Sequence, residues 1–237
     1  MKSKHIWLFT ISLLWSLFVF SQEEGKAKED KVPRTYALRV GLDLIKPART
    51  QFEEGYQGLE LVGDLKLSKR LFVAAEVGSE KRTQQSEQIN FSTKGSYIKA
   101  GVDYNFFNNW KGMNNSLFIG FRLARSLHTH TVNNYTLYAL SQYIPAPTSE
   151  GYLTGERAQL STGWFELLFG AKVQLLPNFY AGLSLRMHGL LSNKQPQDFG
   201  NLYAPGFNRI TDDNKFGGSF NYTLTYAFPF RFKKKVD

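Results

Sequence analysis

Between Gly218 and Phe232 the chain reads GSFNYTLTYAFPFRF, and counting in twos separates it into two faces. Phe220, Tyr222, Leu224, Tyr226, Phe228 and Phe230 share one; Ser219, Asn221, Thr223, Thr225 and Ala227 share the other. A period of two belongs to an extended strand. A last strand with one aromatic-rich and one polar face is what a transmembrane β-barrel needs for closure.

Seven earlier segments alternate in the same way, over residues 34–44, 58–67, 71–78, 97–106, 117–124, 164–173 and 179–187. The expected fold class is therefore all-β, an eight-stranded antiparallel up-and-down transmembrane barrel. Long links follow the odd strands: 45–57, 79–95, the loop from Arg125 to Thr162, and 188–217. Tight turns follow the even strands, at Ser68 to Arg70, Asn108 to Asn115 and Leu175 to Asn178. Long extracellular loops and short periplasmic turns have this parity, and an even strand number leaves both termini in the periplasm.

Alternation alone leaves two arrangements open. A soluble lipocalin-like barrel would enclose the apolar face, whereas a membrane barrel would turn it to lipid. Three features favour the second. Gly41, Gly101, Gly120, Gly170 and Gly182 lie mid-strand on the polar face, where a crowded lumen needs small residues and a solvated face does not. The same face carries six acids (Asp43, Glu60, Asp64, Glu76, Asp103, Glu166) against six bases (Arg39, Lys66, Lys99, Arg122, Lys172, Arg186). Buried charge is tolerable only when paired, so equal numbers fit an enclosed set of ion pairs. Finally, Tyr36, Phe106, Phe179 and Phe228 fall at one rim of the apolar face and Phe165 and Phe220 near the other, the places of interfacial girdles. A barrel of eight strands has room for little beyond its own side chains, so no open pore is expected.

The N-terminus has Lys2 and Lys4, an apolar run over 6–20 and then Ser21-Gln22, which reads as a secretory signal peptide at 1–21. The run is shorter than the roughly 20 residues of a spanning helix. Residues 22–33 (QEEGKAKEDKVP) have almost nothing to bury and read as a disordered periplasmic leader into the barrel at 34–232. A basic tail, 233–237, ends the chain. No cysteine is present, which removes disulfides, thiolate metal sites and a lipidated N-terminal cysteine.

Without the signal lysines the chain keeps a surplus of +7, of which +6 falls at Lys69, Arg70, Lys111 and the tail Arg231, Lys233, Lys234, Lys235 and Asp237. All are periplasmic in this topology, where cations pair with lipid headgroups. No basic patch with interleaved aromatics marks the outer loops, so nucleic acid is not an expected partner.

Residue types that carry chemistry are few. His128, His130 and His188 point inward near the extracellular mouth, without a carboxylate at metal-ligand spacing. Ser126 beside His128 resembles the pair of lipid-cleaving outer-membrane enzymes, but those need it on the lipid-facing side, and here both share the inward parity. Asp212, Asp213 and Asn214 match no EF-hand-type spacing and read as a solvated turn. Tyr135, Tyr138, Tyr143 and Tyr152 lie among polar residues, which suits recognition; the alternative is strands extended beyond the membrane with tyrosine packed between them.

The segments LRVGLDLIKPAR, YQGLELVGDLKLSKRLFVAAEVG, STKGSYIKAGVDYNFFNNWKGMNN, NLYAPGFNRITDDNKFG and NYTLTYAFPF resemble an uncharacterised family of Bacteroidota, chiefly flavobacterial, outer-membrane proteins. The resemblance implies an outer-membrane β-barrel and supplies no activity, ligand or catalytic residue. In strand plan the chain also resembles the small OmpA and OmpX type of barrel, with the KKKVD tail as a departure from the usual aromatic terminus.

The expectation is a non-enzymatic outer-membrane barrel with a charge-filled lumen and a structural or surface-interaction role. Its expected partners are outer-membrane lipids, the barrel assembly machinery and an extracellular partner at the loop from Arg125 to Thr162. No catalytic, cofactor or metal residues are assigned. The rival readings are a lipid-modifying outer-membrane enzyme and a soluble lipocalin-like carrier of a small apolar ligand.

Overall fold

The computed structural model describes residues 36–68, 70–86, 88–107, 115–136, 147–148, 154–195, 200–210 and 215–230. The expected signal segment 1–21, leader 22–33 and tail 233–237 lie outside the described residues, as do Lys69, Lys111 and Arg231. Eight long antiparallel strands form the wall: β1 (Tyr36–Asp43), β2 (Tyr56–Lys66), β3 (Leu71–Gln85), β4 (Ile89–Asn105), β5 (Ser116–Thr136), β7 (Gly155–Leu176), β8 (Phe179–Lys194) and β11 (Phe216–Phe230). Each pairs with its neighbour in sequence, and β11 returns to pair with β1, Tyr36 opposite Phe230 and Asp43 opposite Thr223. The ring is closed by the strand with which the sequence analysis began.

The alternation resolves as expected for an inverted barrel. Outward positions are apolar and open: Ile119, Leu123, Phe169, Leu183, Leu185 and Phe220 each expose more than half of their surface. Inward positions are polar and closed, with Asp43, Glu60, Glu166, Arg122 and Lys99 at most 2% exposed. This is the opposite of a lipocalin core. Of the girdle residues, Phe179 meets Tyr226 edge-on at 5.0 Å and Tyr226 meets Phe228 at 4.9 Å, while Phe121 and Phe165 lie parallel at 6.4 Å.

Crowding explains the mid-strand glycines: an added Cβ would meet the paired strand's backbone at Gly41 and Gly101, and inward side chains at Gly120, Gly170 and Gly182. A Cβ on Gly101 would stand 1.8 Å from the carbonyl oxygen of Phe121 on β5. The turns follow local chemistry. Ser68 Oγ accepts the N–H groups of Arg70 and Leu71, and Asn178 takes a left-handed φ of 67°, which asparagine tolerates better than most residues.

Three expected loops are partly strand. β3 and β4 run through most of 79–95, β5 and β7 take up both ends of the loop from Arg125 to Thr162, and β8 runs on to Lys194. Strands of 21 and 22 residues are about twice the roughly 9–11 expected of a transmembrane β-strand. The apolar alternation gives way to polar outward residues before the hydrogen-bond ladder ends, so patterning alone ends these strands too early. The short strand β6 (Pro147–Thr148) pairs with the end of β5. The rest of that loop between 137 and 153, with Tyr138, Tyr143 and Tyr152, lies outside the described residues, as do Asp212, Asp213 and Asn214. Tyr135 is buried, as expected for tyrosine packed on an extended strand.

A helix, α1 (Ile45–Phe52), occupies the first expected loop. Asp43 Oδ1 accepts the Ile45 N–H at its start, and Pro47 falls in the first turn, where a missing N–H costs nothing. Replacement Gly101→Val should abolish β4–β5 closure and with it the SDS-resistant, heat-modifiable form on electrophoresis. Gly200→Ala, where an added Cβ meets nothing within 4 Å, should leave that form intact.

Candidate functional site: the filled lumen and the capped mouth

Ion pairs fill the barrel in two tiers. In the lower tier Asp64 holds Arg39 at 2.6 Å and Lys172 at 2.5 Å, with the Arg39 guanidinium 4.7 Å from the Phe72 ring centroid. In the middle tier Arg186 reaches Glu76 at 2.6 Å and Glu166 at 3.1 Å. Lys99 lies 3.3–3.5 Å from Glu60, Glu76 and Glu166, and Arg122 takes Asp103 at 2.7 Å and Glu76 at 3.4 Å. Neutral donors complete the shell: Trp164 Nε1 donates to Glu166, Tyr97 to Glu60, and Asn221 to both Asp43 and Glu60. Ten of the twelve charged residues assigned to the lumen from sequence are buried, and Lys66 and Lys172 are half-buried. The space left beside Asp64, Glu76, Asp103, Arg122 and Arg186 is about 30 Å³, room for about two waters.

A second assembly, missed from sequence, closes the end of the barrel from which the expected long links emerge. Residues Ala204–Phe207 make a turn with Pro205 and Gly206 at its centre, Gly206 at φ +82° and the Phe207 N–H donating to Ala204 O at 3.1 Å. That is a type II turn, for which Pro-Gly is the standard signal. It joins the short strands β9 (Tyr203–Ala204) and β10 (Asn208–Arg209). The hairpin packs into the barrel: Ala204, Phe207 and Ile210 form one apolar cluster with Tyr97, Ala124 and Trp164, and Phe207 meets Trp164 at 5.8 Å. Gly206 lies against the Tyr97 ring, where a Cβ would stand 2.7 Å from Cγ.

Glu80 fastens this cap. Its carboxylate accepts Tyr203 Oη at 2.7 Å, the Gly206 N–H at 3.1 Å and the Lys46 ammonium of α1. One residue of β3 thus ties the connections 45–57 and 188–217 to the wall. The parity of Phe72, Ala74, Glu76 and Gly78 extends to Glu80, but ending the strand at Gly78 concealed it. Burial opposes the charge on Lys46, yet Glu80, Glu60 and Asp43 together outweigh it and hold the ammonium above its ordinary range. Outside the wall, Glu53 accepts Arg49 at 2.7 Å and also pairs with Arg82; the Arg49 hydrogen bond leads in holding its carboxyl below the usual range.

His128 and His188 reach the cap and His130 packs on β4, without converging on a common ligand. His128 lies 3.4 Å from Ser126 Oγ and 2.9 Å from the Asn201 side-chain nitrogen. His130 Nδ1 is 2.7 Å from Thr93 Oγ1, and His188 Nε2 is 2.9 Å from Ser219 Oγ. Among the described residues no group of three or more His, Cys, Asp or Glu is placed to hold a metal. Ser126 is fully buried and His128 4% exposed, both facing inward, on the side of the wall opposite its apolar face.

A family model described as "Domain of unknown function (DUF6048)" matches residues 3–234. No curated protein matches the sequence. Among solved structures the chain is similar to Ail, the attachment invasion locus protein of Yersinia pestis, at 13% identity and a TM-score of 0.42, covering 83% of this chain and 100% of that one. It is similar to neisserial surface protein A at 12% identity and a TM-score of 0.35, covering 84% and 96%. A major outer membrane protein from Thermus thermophilus gives 14% identity and a TM-score of 0.40, covering 82% and 99%.

Glu80→Gln should destabilise the folded barrel by about 3 kcal/mol by leaving Lys46 buried without its carboxylate, and Glu80→Gln with Lys46→Met should cost less than the single change. Denaturant unfolding of both variants checks this, with hydrogen exchange across 203–210 rising in the single variant. Because the Glu53 carboxyl is depressed when folded, its hold on α1 is complete above the ordinary carboxylate range and is lost as pH falls through the depressed value. Exchange of α1 amides should therefore rise on acidification in the wild type and show a weaker pH dependence in Glu53→Gln.

Proposed function

We propose that this chain, which belongs to the family described as Domain of unknown function (DUF6048) over residues 3–234, is a non-enzymatic barrel of a Gram-negative outer membrane. The observation that carries this reading is the outward apolar face, with exposed Val, Leu, Ile and Phe on all eight long strands. In water such a surface would aggregate; around a closed barrel it is the surface lipid requires. A secretory signal at 1–21, delivery through the barrel assembly machinery and the flavobacterial origin implied by the sequence resemblance belong to the same proposal.

The lumen transmits no solute in this reading. Paired charges occupy the middle tiers, and the hairpin of β9 and β10 covers the mouth. The role then lies at the surface: strands that rise past the bilayer present the connection between β5 and β7 to an extracellular partner, while the barrel anchors it. The buried setting of Ser126 and His128 supports the non-enzymatic reading over a lipid-modifying one.

The test is fractionation followed by electrophoresis with and without boiling. The protein should enter the outer-membrane fraction and shift on heating; recovery as an unshifted periplasmic protein would overturn the proposal. In planar bilayers the purified wild type should give no stepwise conductance, whereas a variant carrying Glu76→Ala, Glu166→Ala and Arg186→Ala should, if it still folds, conduct or become leaky to small ions.

A further inference from the structure

Three adjacent strands carry uncompensated cations where their apolar face ends. On the outward side β3 sets Lys81 directly opposite Lys94 of β4, and Lys94 stands opposite Thr129 of β5. Arg125 lies on the same side of β5, opposite Ile98. All three cations are exposed, and among the described residues none of them makes an ion pair. The outward positions of β3, β4 and β5 hold no Asp or Glu. On the neighbouring β7, Glu156 stands opposite Thr131, two strands away from Lys94.

Like charges directly opposite one another weaken a sheet, so the facing lysines are unfavourable until an anion stands between their ammonium groups. What surrounds them narrows the anion. On one side lies continuous apolar surface: Val77 is 51% exposed, Ile98 55%, Leu123 55% and Leu127 61%, with Arg125 set among them. A cation on the outer face of a membrane barrel is costly at mid-depth and nearly free at the interface, where its stem lies on apolar surface and its head reaches polar groups. Arg125 therefore marks the border of the apolar face. Around and beyond the lysines the outward side is hydroxylated, by Ser79, Thr83, Ser92, Ser96, Thr129 and Thr131. Thr83 Oγ1 lies 3.1 Å from Ser92 Oγ, and Ser79 Oγ donates to Gly95 O at 3.2 Å. At about 3.4 Å per residue, the lysine row stands roughly 13 Å along the strand from Arg125, a gap that long side chains from both ends can close on one headgroup. A free anion would have no use for the apolar surface, and an acyl chain alone none for the cations. Together they fit an amphiphile with an anionic, hydroxyl-rich head.

We propose that the outward face of β3, β4 and β5 binds a phosphorylated glycolipid of the outer leaflet. Its phosphate lies among Lys81, Lys94 and Arg125, its sugar hydroxyls meet the Ser and Thr side chains, and its acyl chains run down over Ile98 and Leu127. The site rests on the outer-membrane reading above and adds to it a lipid class and the side of the barrel that holds it.

The experiment takes the full-length protein in dodecyl maltoside, freed of native lipid, and titrates it with phosphorylated lipid A, the same lipid dephosphorylated, and phosphatidylglycerol, with bound copies read by native mass spectrometry. The wild type should prefer phosphorylated lipid A to both others. Lys81→Gln with Lys94→Gln should weaken that binding at least about tenfold and Arg125→Gln about fivefold, whereas Lys215→Gln, an exposed cation away from the patch, should match the wild type. All these positions are exposed, so the variants should keep the heat-modifiable form. Lys94→Glu, which gives Lys81 a facing carboxylate, should lose the preference and raise the temperature of heat modification in lipid-free detergent. Equal binding of the dephosphorylated lipid or of phosphatidylglycerol, or one affinity in all variants, overturns the assignment. So does binding of a soluble sulfated polysaccharide that the lysine changes abolish while no lipid is preferred, which would give the patch to a polyanion in solution. A chain recovered from cells without detergent would instead defeat the outer-membrane reading itself.

Discussion

A closed ring of eight strands leaves no room for bulk water, so every charge that points inward must be met by another charge or a hydrogen-bond donor. The rest of the structure depends on this compensation. Glu76 is shared among Arg186, Arg122 and Lys99, and Glu166 between Lys99 and Arg186 with Trp164 as a further donor. Such a set is a poor source of stability compared with an apolar core, but it is costly to disrupt one member at a time. It holds strands far apart in sequence in a single register, because Asp64, Glu76 and Glu166 each take partners from two or more of them. Apolar residues are thereby released to the outer face.

The same logic extends to the mouth. Glu80 is buried, and its three donors come from α1, β9 and the turn at Gly206. Neutralising one inward carboxylate therefore folds two connections onto the same end of the barrel. The wall is tall at β4, β5 and β7 and low at β1, the side where α1 stands.

The barrel was legible in the sequence because its period-2 signal is carried by the outward apolar side chains, and over that part of each strand the pattern is strict. Beyond it the outward face turns polar while the strand continues, as at Lys81 on β3 and at Thr129 and Thr131 on β5; sequence patterning therefore ended these strands too soon and lost Glu80 with them. Helix α1 escaped because eight residues with Pro47 near the start do not complete an amphipathic repeat. The cap hairpin was readable in part, since Ala-Pro-Gly-Phe is turn chemistry, but that it packs on Tyr97 and Trp164 depends on contacts more than 30 residues apart in the chain. Ser126 and His128 are adjacent as their spacing implies, and what settles their setting is the inward parity already visible in the sequence.

The central claim is that the apolar face meets lipid and the charged face is enclosed. The chain contains no cysteine, so a single introduced one is a unique reporter. Spin labels at Ile119→Cys, Phe169→Cys and Leu183→Cys, measured by electron paramagnetic resonance in lipid vesicles, should be broadened strongly by oxygen and little by a water-soluble nickel chelate. A label at Ser184→Cys, inward on β8, should be immobilised and little affected by either. The account is contradicted if the three outward labels are immobilised and shielded from both agents, as in a protein core, while Ser184→Cys responds freely to the nickel chelate.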